Sequence, residues 1–139
     1  MPGVVVGVDR SDTARRAAEE AVRLAGALGV PLHLVSAVKS THGGAVSGAG
    51  RETWEISGVS VAEEMLREIG SAVAGGVDYT TAVVEGGPAE ALVQEAERLG
   101  ADLIVVGSKN MQGMRRFLGA VANDVAHTAP CSVYIAKTT

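Results

Sequence analysis

The sequence predicts an α/β domain in which a parallel sheet is covered by helices on both faces. Three observations predict it: short runs of branched apolar residues, amphipathic segments of helical period between those runs, and strict alternation of the two along the chain. A strand, a helix and a second strand in succession place the two strands parallel, so repeated alternation gives a doubly wound sheet. The chain shows neither a tandem repeat nor a linker, and we expect residues 1–139 to form one domain.

The first part of the chain predicts two strands and a helix. The β-branched run "GVVVGV" at 3–8 is typical of a strand buried on both faces, and "LHLVSAV" at 32–38 predicts the second strand. Between them, Ser11 or Asp12 is a candidate N-cap. Apolar residues at helical spacing follow it: Ala14, Ala17, Ala18, Ala21, Val22, Ala25 and Leu28. Residues 39–58 are rich in Gly, Ser and Thr without a clear period, which predicts a long mobile loop leading into a helix.

The second part predicts three further strands separated by helices. A helix closed by two glycines is indicated by a second apolar stripe: Val61, Met65, Leu66, Ile69 and Val73. Residues 77–84 alternate between apolar and polar, which is typical of an edge strand with one wetter face. Pro88 lies in the first turn of a helix that ends at Gly100. The runs 102–107 and 132–136 predict the fourth and fifth strands.

Composition excludes several classes of protein. A net charge of −4 argues against a general nucleic-acid binder, and a lone cysteine, Cys131, excludes an intramolecular disulfide. The histidines His33, His42 and His127 are too far apart for typical metal-site spacing. No apolar run approaches the roughly 20 residues of a membrane-spanning helix, and the N-terminus does not resemble a signal peptide. These features predict a soluble cytoplasmic protein.

Two strand ends point to one ligand site. In an open α/β sheet, ligands bind beyond the carboxyl ends of the strands where the strand order reverses direction. The strand 3–8 ends in "GVD", which places Asp9 there, and the strand 102–107 leads into "VVGSKNMQGMRRFLGA", the glycine-rich segment 105–120. Asp9 has an alternative interpretation as a residue that favours the start of the following helix.

The glycine-rich segment has the composition of a phosphate-binding loop. Its glycines allow backbone amides to approach an anion, and the helix that follows adds a partial positive charge. Between Gly107 and Gly119 the segment contains Lys109, Arg115 and Arg116 and no acidic residue. The alternative is a solvated loop whose apolar residues pack on the sheet.

Taken together, three stretches resemble the universal stress protein family: "VVVGVDRSD", "GGPAEALVQEAERLGADLIVVGS" and "NMQGMRRFLGAVANDVAHTAPCSVYIAK". The resemblance covers essentially the whole chain. It implies a flavodoxin-like (Rossmann-like) five-stranded parallel sheet with strand order 3-2-1-4-5. It also implies a homodimer formed through the last strand, 132–136.

The family resemblance also implies an adenine-nucleotide site, although this sequence departs from the family signature. Members with the signature G-x-x-G, about nine residues and G-[S/T] bind adenosine nucleotides, and members without it do not. Here Gly107 and Gly119 match, Asn110 stands at the second glycine, Ala120 replaces Ser or Thr, and the spacing is one residue short. Asn tolerates a positive φ better than other non-glycine residues, and a lost hydroxyl costs about 1 kcal/mol as a hydrogen bond. Gly113 is an extra glycine that could absorb the altered geometry.

Further positions follow from the same resemblance. The implied nucleoside and phosphate contacts comprise Val8 and Asp9, the backbone of Ala37 at adenine, and Val106 with Gly107 beside the ribose and phosphates. Arg10 departs from the glycine of many members and could reach a phosphate or block the crevice.

Two functions therefore remain open from the sequence. The first is a regulatory dimer in the stress response that binds ATP, ADP, AMP or a cyclic nucleotide, with or without Mg2+. The second is an interaction dimer with a vestigial pocket. We favour the first and expect no enzymatic activity beyond, at most, very slow ATP hydrolysis, because no residue is obviously placed to position water.

Overall fold

The computed structural model describes residues 2–9, 12–38, 49–108 and 119–138. Helices and strands alternate as predicted: β1 (Val4–Gly7), α1 (Asp12–Leu28), β2 (Leu32–Val38), α2 (Ala49–Val73), β3 (Tyr79–Glu85), α3 (Pro88–Leu99), β4 (Leu103–Gly107), α4 (Ala120–Thr128) and β5 (Ser132–Ala136). The five strands form one parallel sheet in the order β3-β2-β1-β4-β5, which confirms the predicted fold and strand order.

The sheet is buried on both faces, as the β-branched strands predict. Successive side chains of a strand point to opposite faces, and β1 shows this directly. Val4 and Val6 lie in the apolar cluster that α1 and α2 cover, whereas Val5 lies in the cluster that α3 and α4 cover. All three valines are fully buried, so the central strand anchors both layers of the core.

Glycines end the helices where the sequence predicts. Gly100 follows α3 in the left-handed conformation (φ +64°), and its N–H caps the helix by donating to the carbonyls of Ala96 and Glu97. Gly29 follows α1 with φ +71°. Glycine adopts this conformation without the steric penalty of a Cβ, so both helices stop cleanly before the next strand.

The long loop predicted over 39–58 is wrong for its second half. Helix α2 begins at Ala49, and residues 39–48 lie outside the described residues. Two glycines, Gly50 and Gly58, conceal the helical pattern in the sequence. Extending an existing helix needs no new nucleus, so a helix can continue through glycines that each cost about 1 kcal/mol relative to alanine.

Two residues of the predicted apolar stripes are exposed. Leu28 is 56% exposed at the last position of α1, and Val61 is 43% exposed on α2. Each residue advances about 100° around a helix, so Val61 lies well to one side of the buried Ala62 and Leu66. The other residues of both stripes are buried or half-buried as predicted.

The edges of the sheet are β3 and β5. The prediction that this segment is an edge strand is confirmed for β3. Thr80 and Thr81 are both exposed and point to opposite faces, so the exposure is not confined to one face as the sequence predicts. Among the described residues, no helix combines the length and the apolar character needed to cross a membrane.

Candidate functional site

A cavity of about 160 Å³ opens at the carboxyl ends of β1, β2 and β4. β1 lies between β2 and β4 in the sheet, so its end is at the centre of the opening. Six residues that the sequence assigns to the site line this cavity: Val8, Asp9, Ala37, Val106, Gly107 and Gly119. The structure therefore brings the end of the first strand and both ends of the glycine-rich segment to one place.

Three helices complete the wall with residues that the sequence analysis did not assign to a site. The additional lining residues are Gly7 and Val35 from the strands, Ala14 and Ala17 from α1, Pro88, Ala91 and Leu92 from α3, and Val121 and Ala122 from α4. In the sequence, most of these residues are indistinguishable from core residues. A usable signal is their position in the first turns of helices that follow a strand, because those turns surround the carboxyl edge of the sheet.

Small side chains create the space. A Cβ on Gly7 would lie 3.0 Å from Leu92 Cδ1, so glycine allows α3 to approach the end of β1 closely. On α1, Ala14 and Ala17 present only methyl groups to the cavity. The wall is mainly apolar, and Asp9 contributes its one ionisable side chain among the described lining residues.

Asp9 lies beyond the end of β1, with an exposed side chain. The sequence allowed either a ligand role or a helix-start role for it. α1 begins at Asp12, so Asp9 lies outside the first helical turn, and it lines the cavity. The structure thus places Asp9 at the cavity, and its ligand role stays a prediction.

Gly107 lies at the end of β4, where two neighbours occupy the space a side chain would need. A Cβ on Gly107 would lie 3.1 Å from Thr138 Cγ2 and 3.8 Å from the Cβ of Ala17. A side chain at this position would therefore require a small shift of Thr138, whereas Ala17 is at ordinary contact distance.

The N-terminus of α4 faces the cavity. Gly119 precedes the helix in an extended conformation, it provides no side-chain cap, and the first turn contains no acidic residue. The first amides of a helix lack intrahelical partners and carry a partial positive charge, which favours anions. Ala120 is exposed and does not line the cavity, although it is the first residue of this helix.

The N-terminus of α3 reaches the same cavity but differs in charge. Pro88 has no N–H to donate, and Glu90 adds an acidic residue to the first turn. Glu90 Oε1 lies 3.6 Å from the position that a Cβ of Gly87 would occupy, so the carboxylate is close to the start of the helix. Of these two N-termini, that of α4 is the better suited to a phosphate.

Other predicted residues lie outside the described part of the chain. These are Asn110 and Gly113, the cations Lys109, Arg115 and Arg116, and Arg10 with the candidate cap Ser11.

His33, His127 and Cys131 do not line the cavity, and each has contacts elsewhere in the protein. His33 is buried, its Nδ1 lies 2.7 Å from Thr80 Oγ1, and burial lowers the pKa of its imidazole. His127 Nδ1 lies 2.8 Å from the carbonyl oxygen of Asn123 in the last turns of α4. Cys131 is half-buried against the core, and burial raises the pKa of its thiol. In the part of the chain that the structure describes, no group of three or more His, Cys, Asp or Glu could hold a metal ion.

Comparison with known proteins decides the family. Residues 2–137 match the sequence model of the Universal stress protein family. The chain belongs to this family. It is 33% identical over 141 residues to a universal stress protein of Mycobacterium tuberculosis, with 98% of this chain and 96% of the relative covered.

Two solved structures of the family are similar over nearly the whole chain. A universal stress protein in complex with cAMP has a TM-score of 0.81 and 31% identity, covering 99% of this chain and 98% of its own. The universal stress protein of Archaeoglobus fulgidus in complex with dAMP has a TM-score of 0.72 and 25% identity, with 97% of each chain covered. Both structures contain an adenine nucleotide, and both share the sheet that forms the cavity described above.

Proposed function

We propose that this universal stress protein binds an adenine nucleotide in the cavity at the carboxyl ends of β1, β2 and β4 and acts as a regulatory dimer in the stress response. The observation that carries the proposal is the convergence of Asp9, Ala37, Gly107 and Gly119 on one cavity. Two similar proteins whose structures contain cAMP and dAMP support the choice of ligand.

The residues present fit the separate parts of a nucleotide. The apolar wall and the strand ends at Ala37 and Val106 suit a base, and Asp9 is an acceptor for ribose hydroxyls. Gly107 and the start of α4 at Gly119 suit a phosphate, because neither places a side chain between backbone and anion. ATP, ADP, AMP and cyclic nucleotides all share these three parts.

Mg2+ and catalysis are secondary parts of the proposal. Mg2+ typically binds through one or two carboxylates together with substrate phosphates, and Asp9 is the carboxylate at hand in the described wall. We expect binding without significant turnover, since the apolar lining offers little with which to orient an attacking water.

We propose that the dimer forms through β5 (Ser132–Ala136). We also propose that the protein acts in the cytoplasm, where adenine nucleotides are abundant. β5 is a sheet edge and pairs with β4 in the described structure. Its central residues Val133, Tyr134 and Ile135 are half-buried, whereas the other edge carries exposed threonines. An edge strand offers unpaired backbone groups for pairing with a second chain. Tyr134 also donates a hydrogen bond to Glu20 Oε2 at 3.0 Å, which ties this edge to α1.

A second candidate function is an interaction dimer whose cavity is unused. The volume favours it, since about 160 Å³ is below the roughly 300–1,000 Å³ typical of ligand pockets. The exposed Ala120 favours it too, because a serine or threonine hydroxyl is absent at the start of α4.

Titration calorimetry separates the two candidates. Nucleotide-stripped protein is titrated with ATP, ADP, AMP, cAMP and adenosine, with and without Mg2+, beside an Asn110→Gly/Ala120→Ser variant that restores the two missing residue types of the family signature but not its spacing. We expect micromolar binding of phosphorylated ligands by the parent and weaker binding of adenosine. Binding by the variant alone would instead identify an unused cavity. A sedimentation experiment in parallel should give the mass of two chains, and a monomer at all concentrations would contradict the dimer.

A further inference from the structure

A buried imidazole lies at the amino ends of the strands, opposite the end where the cavity opens. His33 is the second residue of β2, and it is 8% exposed. In the sheet it pairs with Val5 of β1 on one side and with Thr80 of β3 on the other. Its side chain points to the same face as Val35, which belongs to the cluster that α3 and α4 cover. Three strands and a helix therefore surround the ring.

Only one of the two ring nitrogens has a hydrogen-bond partner in the protein. Nδ1 of His33 lies 2.7 Å from Thr80 Oγ1, whereas Nε2 is buried without a partner. We assign the neutral ring a proton on Nδ1, donated to Thr80, because Nε2 then keeps only a lone pair that lacks a donor. A Cβ on Gly3 would lie 3.0 Å from Nε2, so glycine allows the ring to approach the backbone closely there.

The charged groups around His33 do not compensate for an added proton. On α3, Glu95 is buried, and its carboxylate already accepts two hydrogen bonds from Arg98, at 2.8 and 3.1 Å. Burial lowers the pKa of the His33 imidazole, Glu95 raises it in part, and Arg98 and the charge of the amino terminus lower it further. The neutral form is thus the one that suits the folded protein.

The other elements beside the ring add no buried charge. β1 has no ionisable side chain, and β3 places the uncharged Thr80 opposite His33. Asp78 precedes β3 and Asp102 precedes β4, and both side chains are exposed to solvent, which weakens their effect on a buried group.

The direction of the pKa shift decides how pH acts on the fold. An unperturbed histidine has a pKa of about 6.5, so in the unfolded chain His33 takes up a proton near that pH. The folded protein takes up this proton only at a lower pH. Because the unfolded chain then binds more protons, the free energy of unfolding falls as the pH drops below about 6.5 and levels off below the folded pKa.

We propose that His33 is an acid-sensitive anchor of this domain: the neutral ring links β2 to β3 beneath α3, and its protonation in mild acid makes the folded state less stable. The imidazolium would carry two N–H donors, and the one at Nε2 would be buried without an acceptor. Histidine suits this role because its charge changes between about pH 5 and pH 8. The inference does not depend on the proposed nucleotide binding.

The test compares the parent with His33→Asn, whose side-chain amide can donate to Thr80 Oγ1 but does not titrate. His127→Gln is the matched control, because it removes an exposed histidine on α4. Urea denaturation at about pH 7.5 and about pH 5.5 gives the unfolding equilibrium constant of each protein. NMR of the folded parent gives the pH midpoint of the His33 imidazole.

The unfolding equilibrium constant of the parent should rise by about threefold to tenfold at the lower pH, where about tenfold is the limit for an imidazole that stays neutral in the folded protein. This rise should persist in His127→Gln and be largely lost in His33→Asn. The NMR midpoint of His33 should lie below about 6.5.

Two results would overturn the inference. The first is an equal rise of the unfolding equilibrium constant in His33→Asn and the parent. The second is an NMR midpoint of His33 at or above about 6.5, a measurement on the parent that holds even where His33→Asn does not fold.

Discussion

Helices α3 and α4 begin at the same cavity, yet only one of them offers a site for an anion. Both follow a glycine in extended conformation that has no side-chain cap. α3 then places Pro88 and Glu90 in its first turn, whereas the first turn of α4 has no acidic residue. A carboxylate therefore compensates the dipole at the start of α3, whereas the first turn of α4 has no acidic residue. The start of α4 is thus the better suited of the two to the proposed phosphate.

The largest expected effect comes from adding an acidic residue to the first turn of α4, where α3 already has one. Ala120→Asp adds a carboxylate to the first turn of α4, next to Gly119 and Val121, which line the cavity where the phosphate is proposed to bind. Like charges about 4 Å apart repel by roughly 4 kcal/mol at an effective dielectric constant of 20, and exposure to solvent reduces this. We expect AMP affinity, measured by calorimetry, to fall about tenfold to hundredfold while Tm stays equal or rises, because an acid favours a helix start.

Gly87→Asp is the matched control on α3. Gly87 is exposed, and a Cβ there has only ordinary contact with Glu90 Oε1 at 3.6 Å. AMP affinity should stay within about threefold of the parent, because this helix start already carries a carboxylate. Equal effects of Ala120→Asp and Gly87→Asp would show that the two helix starts are equivalent and would refute the comparison.

A second, intermediate effect concerns two glycines near the cavity: Gly86, in the turn between β3 and α3, and Gly107, at the end of β4. Gly86 has φ +125°, so Gly86→Ala is strained by its backbone, whereas Gly107→Ala is limited by contact with Thr138 Cγ2 at 3.1 Å. We expect each change to lower the free energy of unfolding by about 1–3 kcal/mol, measured by urea denaturation. Thr138→Ser should restore part of the stability of Gly107→Ala, since it removes the contacting methyl, and should not restore Gly86→Ala. Equal rescue of both variants would contradict the assignment of these causes.

The smallest expected effect comes from neutralising Glu90, the acidic residue in the first turn of α3. Glu90→Gln should lower the free energy of unfolding by about 0.3–1 kcal/mol, because an acid in the first turn stabilises the helix dipole. AMP affinity should change by less than about twofold, since Pro88 still withholds an amide there. A gain in AMP affinity comparable with the loss in Ala120→Asp would show that phosphate approaches α3 instead.

The sequence predicts the sheet well because the signals for it are local. Each strand is a branched apolar run, and the family resemblance supplies the order that local signals do not contain. Two of the five strands, β2 and β5, have the bounds that the sequence predicts. The start of α2 was missed because Gly50 and Gly58 weaken a helix that its own later turns stabilise.

The site is predicted where a strand ends in it and at Gly119, which the family signature supplies. Asp9 and Gly107 are recognisable because a strand end is visible in the sequence. Ala91 and Leu92 line the cavity from α3, but in the sequence they have the same spacing as core residues, and only their position near the start of the helix distinguishes them. The hydrogen bond from the Thr138 amide to Ser108 Oγ could not be found from the sequence, since the two residues are 30 positions apart.

The pairing of the two central strands has a consequence for how the protein is made. Val4 pairs with Leu103, so β1 and β4 meet only after a loop of about a hundred residues has closed. Those two strand ends form the middle of the cavity. A chain that ends before β4 lacks Val106, Gly107 and the lining residues of α4, so the proposed ligand binding would require this long-range pairing to have formed.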